Sequence, residues 1–330
     1  MFFYQVYGLC LGSDFPLSEF PDRHGGQLAA DIRLCHGAPQ HTYERCISLG
    51  FNVSPQQPVD FEWPKRGMLL SNACYHVAYP NGLEVIVDGL GAAIYILNAD
   101  PFEFEDFPVY LSGPLLGFAL RLRGSLCLHA SVIDLGGYAI ALMAPSGGGK
   151  STTAAAFARR GFRVMSDDVL VLTPGAGGES LAHTGVPWVR LCEDALKELG
   201  RASWRGQGQS HLGNKRRVQI NQGEQALNAL PLRAIYSAVN LDADLAISNI
   251  SGAKALLGLL GNLFPGPSYQ LPHSRRTDEL KQLRQLLAAV PLRGLAYRRK
   301  LSDLPSLCDA LISDSRNLQA ASAVSKMQNE

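Results

Sequence analysis

Three hundred and thirty residues, 46 % hydrophobic and 18 % charged, make a globular chain with room for two domains, not a disordered one. A net charge of +1 removes the electrostatic case for nucleic acid or a membrane surface as partner. Seven scattered cysteines (Cys10, Cys35, Cys46, Cys74, Cys127, Cys192, Cys308) with no C-x-x-C pair speak against a disulfide framework or a zinc site and for a reducing, cytoplasmic setting. The opening MFFYQVYGLC has no basic n-region or cleavage signature. Apolar runs such as Ala255 to Leu260 are far too short to span a membrane.

In chain order, residues 1 to about 110 read as β-rich. Phe2 to Leu11 is aromatic and β-branched with loose alternation. Turn signals recur at Gly12–Asp14, Asp22–Gly26, Pro55–Pro58 and Pro80–Gly82. Asn81-Gly82, between His76–Tyr79 and Leu83–Val87, predicts a hairpin, with a further strand at Ala92 to Leu97. His24, His36, His41 and His76 are unclustered, and no catalytic constellation appears. This region is expected to shape the substrate side or to form a homo-oligomer contact. Pro108 to Arg123 reads as a linker that becomes a helix at Gly113-Pro114 and packs beneath the central sheet. Cys127 to Ile133 reads as one strand carrying His129, next to the strand that follows Gly136-Gly137.

That following strand, Ala139 to Met143, leads into Ala144-Pro145-Ser146-Gly147-Gly148-Gly149-Lys150-Ser151 and an Ala-rich helix from Thr152 to Arg160. Strand, glycine-rich loop and helix in this order have the form of a Walker-type phosphate-binding P-loop. Small residues let backbone N–H groups converge on a polyphosphate, and the helix points its positive end at the same place. Ala144 to Thr152 would cradle ATP, with Lys150 reaching the β- and γ-phosphates and the Ser151 hydroxyl on Mg²⁺. Ala144 stands where the usual motif has glycine, which leaves its backbone conformation open. The strand Phe162 to Met165 ends at Asp167-Asp168, on the side where strand ends face a ligand crevice. Two adjacent carboxylates are costly there without a cation or proton to share. One can hold the metal and the other can take a proton from an incoming hydroxyl.

His129, APSGGGKS and RRGFRVMSDDV, with His129 21 residues before Lys150 and Asp167 17 after it, resemble the catalytic core of HPr kinase/phosphorylase over residues 127 to 173. The resemblance implies an α/β P-loop kinase core of the HPr kinase/PEP carboxykinase type. It also implies roles: Lys150 and Ser151 on phosphates and Mg²⁺, Asp167 as general base toward a serine hydroxyl, Asp168 on Mg²⁺, and His129 orienting Asp167. The family's later glycine- and arginine-bearing signature has no counterpart here; the nearest piece is His183 to Leu191. The opening YQVYGLCLGSDFPLSEF, the VPWVRL segment and the closing LRGLAYRRKLSDLPSL resemble a divergent branch found with ribosomal-peptide biosynthesis genes. Some of its members are similar to kinases of lasso-peptide precursors that act on a C-terminal serine.

Beyond Leu172, Glu193 to Leu199 reads as a short helix and Arg201 to Gly213 as a polar, glycine-rich loop. With the basic run Asn214-Lys215-Arg216-Arg217 it is a candidate lid over a transferred phosphate, Lys215 and Arg217 facing one way on a strand that continues through Val218 and Ile220. Arg190, closing VPWVRL, is a candidate contact to phosphate or to a peptide carboxylate. Leu232 to Leu241 reads as a strand, Gly252 to Phe264 and His273 to Val290 as helices, Leu295 to Arg299 as the last strand, and Ser302 to Ser313 as the closing helix. The expected division is a β-rich domain at 1–112, a P-loop domain at 113–315 and a frayed tail at 316–330. The expected activity is an ATP- and Mg²⁺-dependent serine kinase acting on a precursor peptide. The alternatives are a kinase of HPr or a similar small carrier protein, and a nucleotide-binding regulator without transfer activity.

Overall fold

The computed structural model describes residues 1–23, 29–37, 68–71, 74–79, 81–98, 106–201, 203–210, 215–220, 229–266, 269 and 271–327. The turns expected at 24–26 and 55–58, His24, His41, Cys46, Asn214 and the last three residues fall outside these. The chain divides into two units, one of residues 1–127 with 263–280 and one of residues 128–262 with 281–330.

The first unit is built on a seven-stranded sheet in the order Phe2–Val6, Leu9–Ser13, Ile32–His36, Ala93–Ile96, Glu84–Asp88, Cys74–Ala78, Met68–Ser71. The single strand expected over Phe2 to Leu11 is a hairpin. Tyr7 and Gly8 both adopt positive φ (52° and 77°), which closes a two-residue turn with Val6 opposite Leu9. The Asn81-Gly82 hairpin forms as expected, with Ala78 opposite Glu84. The helical stretch begins at Phe107, not at Gly113. Pro108 occupies the first turn, where its missing N–H costs nothing, and the run continues through a π-helical turn at Leu111–Leu115 into Leu116–Leu122. Every side chain of Leu116–Leu122 is buried. Phe118 meets Tyr75 edge-on at 4.9 Å, so this helix packs on strands of the first unit and not beneath the P-loop sheet. The boundary therefore falls after Cys127 and not at 112.

The second unit carries a nine-stranded sheet. One path runs Arg163–Ser166, Ser131–Asp134, Ala139–Met143, Leu230–Asn240, Ser180–Ala182, Val169–Pro174, Leu126–His129. The long strand Leu230–Asn240 branches: it runs parallel to Ala139–Met143, and its far half also runs parallel to Leu292–Ala296, which in turn pairs with Ala246–Ile250. Leu292–Ala296 starts directly after Pro291, three residues before the expected strand. A separate antiparallel sheet joins Trp188–Cys192, Lys215–Gln219 and Arg205–Ser210, so part of the expected loop after Arg201 is strand. Helix Lys150–Arg159 lays Ala154, Ala155, Phe157 and Ala158 into a core with Leu142, Tyr236, Val189, Leu191, Leu295 and Leu307. Its alanines let the helix axis approach the sheet closely. The closing helix runs Leu304–Met327, well past Ser313 and through most of the expected tail.

In the first unit, buried Arg121 grips Glu279 through two bonds of 2.5 and 2.8 Å and donates to the Pro265 carbonyl at 2.6 Å. Breaking such a pair strands one charge in a dry site. Glu279→Ala is expected to lower stability by about 3–5 kcal/mol in urea unfolding.

Candidate phosphate site and its acidic turn

The strand Ala139–Met143 is buried along its whole length and delivers the chain to the loop at Ala144. Gly147 and Gly149 sit at φ +74° and +92°, backbone states that a side chain disfavours. A Cβ on Gly148 would lie 2.7 Å from the Ala144 Cβ and 2.9 Å from the Pro145 carbonyl oxygen. Ala144 itself is buried, and the only non-glycine residues with positive φ among those described are Tyr7 and Asp168. The alanine in place of the usual first glycine therefore keeps an ordinary backbone. It fits because Gly148 across the loop has no side chain. Lys150, 8 % exposed, donates from Nζ to the Ala144 carbonyl at 2.6 Å and so closes the loop on itself. Burial holds the Lys150 pKa below its usual value; Lys215 and Arg190 push the same way, and Asp167 and Asp168 oppose them.

Asp167 and Asp168 form the turn between Arg163–Ser166 and Val169–Pro174. Asp168 takes φ +73°, a conformation that aspartate tolerates better than most residues. Three bonds hold the turn. Ser166 Oγ donates to the Val169 carbonyl at 2.7 Å, His129 Nδ1 lies 2.9 Å from the Asp168 carbonyl, and Arg190 Nη2 meets Asp168 Oδ2 at 2.6 Å. The carbonyl can only accept, so Nδ1 carries the ring proton. Burial and the charge of Lys150 keep the His129 pKa low, against the pull of Asp168. Asp167 is buried, accepts the Ser131 hydroxyl and lies near enough to Ser151 for that side chain to act on its carboxyl. Burial and then the neighbouring Asp168 charge raise its pKa, although Ser131, Ser151 and Arg190 act in the other direction. For Asp168 burial acts upward too, but Arg190, His129 and Lys150 together outweigh it and hold the carboxyl below its usual range.

The expected residues thus converge in part. Lys150, Ser151, Asp167, Asp168, His129 and Arg190 surround one point, with Lys215 near enough to act on Lys150. Arg217 lies directly opposite Arg190 in the small antiparallel sheet, and Cys192 opposite Lys215. Alternation puts Arg190, Lys215 and Arg217 on one face of that sheet; Val189, Leu191 and Val218, on the other, enter the core under the P-loop helix. His129 departs from expectation. It ends a strand in the branch beside Val169–Pro174, and the neighbour of the P-loop strand is Ser131–Asp134. The chain breaks its strand at Ala130, so His129 reaches Asp168 and Ser131 reaches Asp167. Arg190, expected on a phosphate or peptide carboxylate, is engaged by Asp168.

Ser131 is a residue that motif reading missed, since nothing in its local sequence sets it apart from any strand serine. Tyr297 is another: its hydroxyl donates to the Gly148 carbonyl from just past the strand Leu292–Ala296. A cleft of about 760 Å³ opens on that flank of the loop. It is lined by Gly147, Gly149 and Thr152 on one side and by Ala243, Tyr297 and Leu301 on the other, with Arg298–Lys300 and Asp242–Asp244 among its walls. Among the described residues no helix is long and apolar enough to cross a membrane.

No family model matches the chain, and no curated protein matches it. Among solved structures it is similar to the Hpr(Ser) kinase/phosphatase from Coxiella burnetii, at 13 % identity and a TM-score of 0.33, over 62 % of this chain and 98 % of that one. So loose a likeness transfers no residue's role. What stands on this chain's own residues is an α/β core around a P-loop, with a β-rich N-terminal unit before it. Ser131→Ala should leave the buried Asp167 short of one donor. The expected loss is about 1–3 kcal/mol in denaturant unfolding, with the α/β circular-dichroism signature unchanged.

Proposed function

We propose that this chain is an ATP-dependent kinase that transfers the γ-phosphoryl group to a serine hydroxyl. The observation that carries the reading is the meeting of the P-loop with the acidic turn: Lys150 and Ser151, at the start of the P-loop helix, lie close enough to the buried Asp167 to act on and be acted on by its carboxyl. This supports reading the expected phosphate cradle and the expected acceptor chemistry as one site. Mg²⁺ fits this arrangement: hydroxyl and carboxylate oxygens are the hard donors it takes. Ser151 and Asp167 would hold it, since Asp168, the expected metal partner, is committed to Arg190. When bound, the ion would offset the negative charge that develops on transfer. The chain's own residues would do the rest. Lys150 turns from the Ala144 carbonyl to the phosphates. Asp167 also lies where it could take the hydroxyl proton, and Arg190, Lys215 and Arg217 supply the positive wall in which transfer occurs.

The cleft beside Gly147 and Thr152 suits the nucleoside end of the nucleotide, because it adjoins the loop and the first turn of its helix and is large enough for it. Ala243→Trp, which fills it, should weaken ATP binding by about tenfold or more and leave tripolyphosphate binding unchanged, as read by calorimetry.

For the acceptor we propose a peptide with a C-terminal serine. Its carboxylate, next to the reacting hydroxyl, matches the cationic face of Lys215 and Arg217, and the resemblance of the chain's ends to peptide-tailoring kinases points the same way. With Mg-ATP, phosphate transfer to serine-terminated peptides should be seen and should fall when their C-terminus is amidated. Equal transfer to amidated peptides, or transfer only to a small carrier protein, sinks the acceptor assignment. Asp167→Asn should cut transfer by about 10²–10⁴-fold, and Lys150→Ala should abolish it and weaken ATP binding. An Asp167→Asn protein with full activity removes Asp167 from the chemistry.

A further inference from the structure

Three consecutive glycines give the loop its freedom, and freedom is a cost in an anion site. An N–H that is not already aimed at the phosphate must be fixed there on binding. Gly147 to Gly149 have no side chains with which to fix themselves. The Gly148 N–H is held by the Pro145 carbonyl at 2.9 Å. The peptide unit that follows, from the Gly148 carbonyl to the Gly149 N–H, is held from outside the loop, by the Tyr297 hydroxyl.

The geometry of a trans peptide makes this bond directional. Carbonyl and following N–H lie in the peptide plane and point in opposite directions within it. Drawing the Gly148 carbonyl toward Tyr297 turns the Gly149 N–H away from it. The Tyr297 ring is 7 % exposed and sits in the core with Leu295, Leu304 and Leu307, so its hydroxyl is a fixed reference for the loop. The Gly149 N–H is therefore held facing away from the ring. Gly149 is also the residue immediately before the helix Lys150–Arg159, so its N–H belongs to the helix's unsatisfied, positive end. Tyr297 is itself well anchored. Its backbone N–H donates to the Asn240 carbonyl at 2.9 Å, which carries the pairing of Leu292–Ala296 with Leu230–Asn240 one residue further. A Cβ on Gly149 would come within 3.5 Å of the Tyr297 oxygen, so loop and ring are in direct contact. Burial holds the phenol's pKa up, and it stays a donor at neutral pH.

We infer that Tyr297 is a positioning residue of the phosphate cradle: its hydroxyl sets the Gly148–Gly149 peptide so that the Gly149 N–H is presented to a bound polyphosphate. The inference rests on the reading of Ala144 to Ser151 as that cradle. Its test compares tripolyphosphate and ATP binding to the full-length wild type and to Tyr297→Phe, which keeps the ring and removes only the hydroxyl. Both ligands are expected to weaken by the same factor, about three- to tenfold. A residue that merely shapes the cleft would weaken ATP alone. A residue that merely supports the fold would lower the melting temperature with binding unchanged; either result overturns the inference. A second measurement needs no variant. In protein labelled with ¹⁵N-glycine and ¹⁵N-lysine, tripolyphosphate should shift the Gly149 amide resonance, and a shift of Lys150 with Gly149 unmoved overturns it as well. If the wild type binds neither ligand, the cradle reading itself has failed, a result distinct from normal binding by Tyr297→Phe.

Discussion

A buried carboxylate, Asp167, and a half-buried one, Asp168, on adjacent residues must be reconciled with each other in the second unit. Like charges this close and largely shielded from water are costly unless one is neutralised. The structure treats them unequally. Asp168 is given Arg190, and its carboxyl stays ionised. Asp167 is given the Ser131 hydroxyl, with Ser151 nearby; these ease its charge without cancelling it, and burial and then the Asp168 charge raise its pKa. Much of the local architecture follows from this division. The left-handed backbone at Asp168 sends the two side chains to different partners. The strand carrying Arg190 is held against the P-loop helix by Val189 and Leu191 on its other face, so the guanidinium is delivered by a packed element and not by a loop.

The phosphate loop shows the same economy of compensation. Its first position carries a methyl group where glycine is usual, and the clash this would cause is removed four positions on, at Gly148. The two residues work as a pair: a Cβ on both would put the carbons 2.7 Å apart. With its glycines unable to brace one another, the loop is tied at its ends, by Lys150 to Ala144 and by Tyr297 to Gly148.

How much of this could be read beforehand depended on whether a feature was local in the chain. The P-loop, its strand and helix, the acidic pair and the Asn81-Gly82 hairpin are contiguous signals, and each was legible. Lys215 and Arg217 were legible as one face because a strand alternates by rule, and the structure places that strand at Lys215–Gln219. Pairings set by distant chain were not legible. Ser131 matters because the turn at Asp167 folds back onto it across 36 residues, and Tyr297 because a strand more than a hundred residues on ends beside Gly148. His129 illustrates the middle case. Its neighbourhood with the acidic pair was correct, but Ala130 splits the strand expected to carry it, and a histidine assigned to Asp167 holds the Asp168 carbonyl instead. The helix from Phe107 was misplaced for a related reason: an all-round apolar stretch does not say which sheet it will bury against, and only its contacts with Tyr75 decide.

The charge of the site argues for what it can receive. The chain as a whole is nearly neutral, at +1. Around the loop, however, Lys150, Arg190, Lys215 and Arg217 face two carboxylates, one of them with a raised pKa. Burial first, and then the neighbouring Lys215 and Arg190, hold the Lys150 pKa down against the pull of both carboxylates. A ligand's negative charge is what such a buried ammonium and its cationic neighbours can receive. A nucleotide polyphosphate on the loop would meet Lys150 first and the Arg190–Arg217 face next. A carboxylate-bearing acceptor approaching from the acidic-turn side would meet the same face. The cationic face thus gives one physical reason for placing donor and acceptor together at the acidic turn in the proposed reaction.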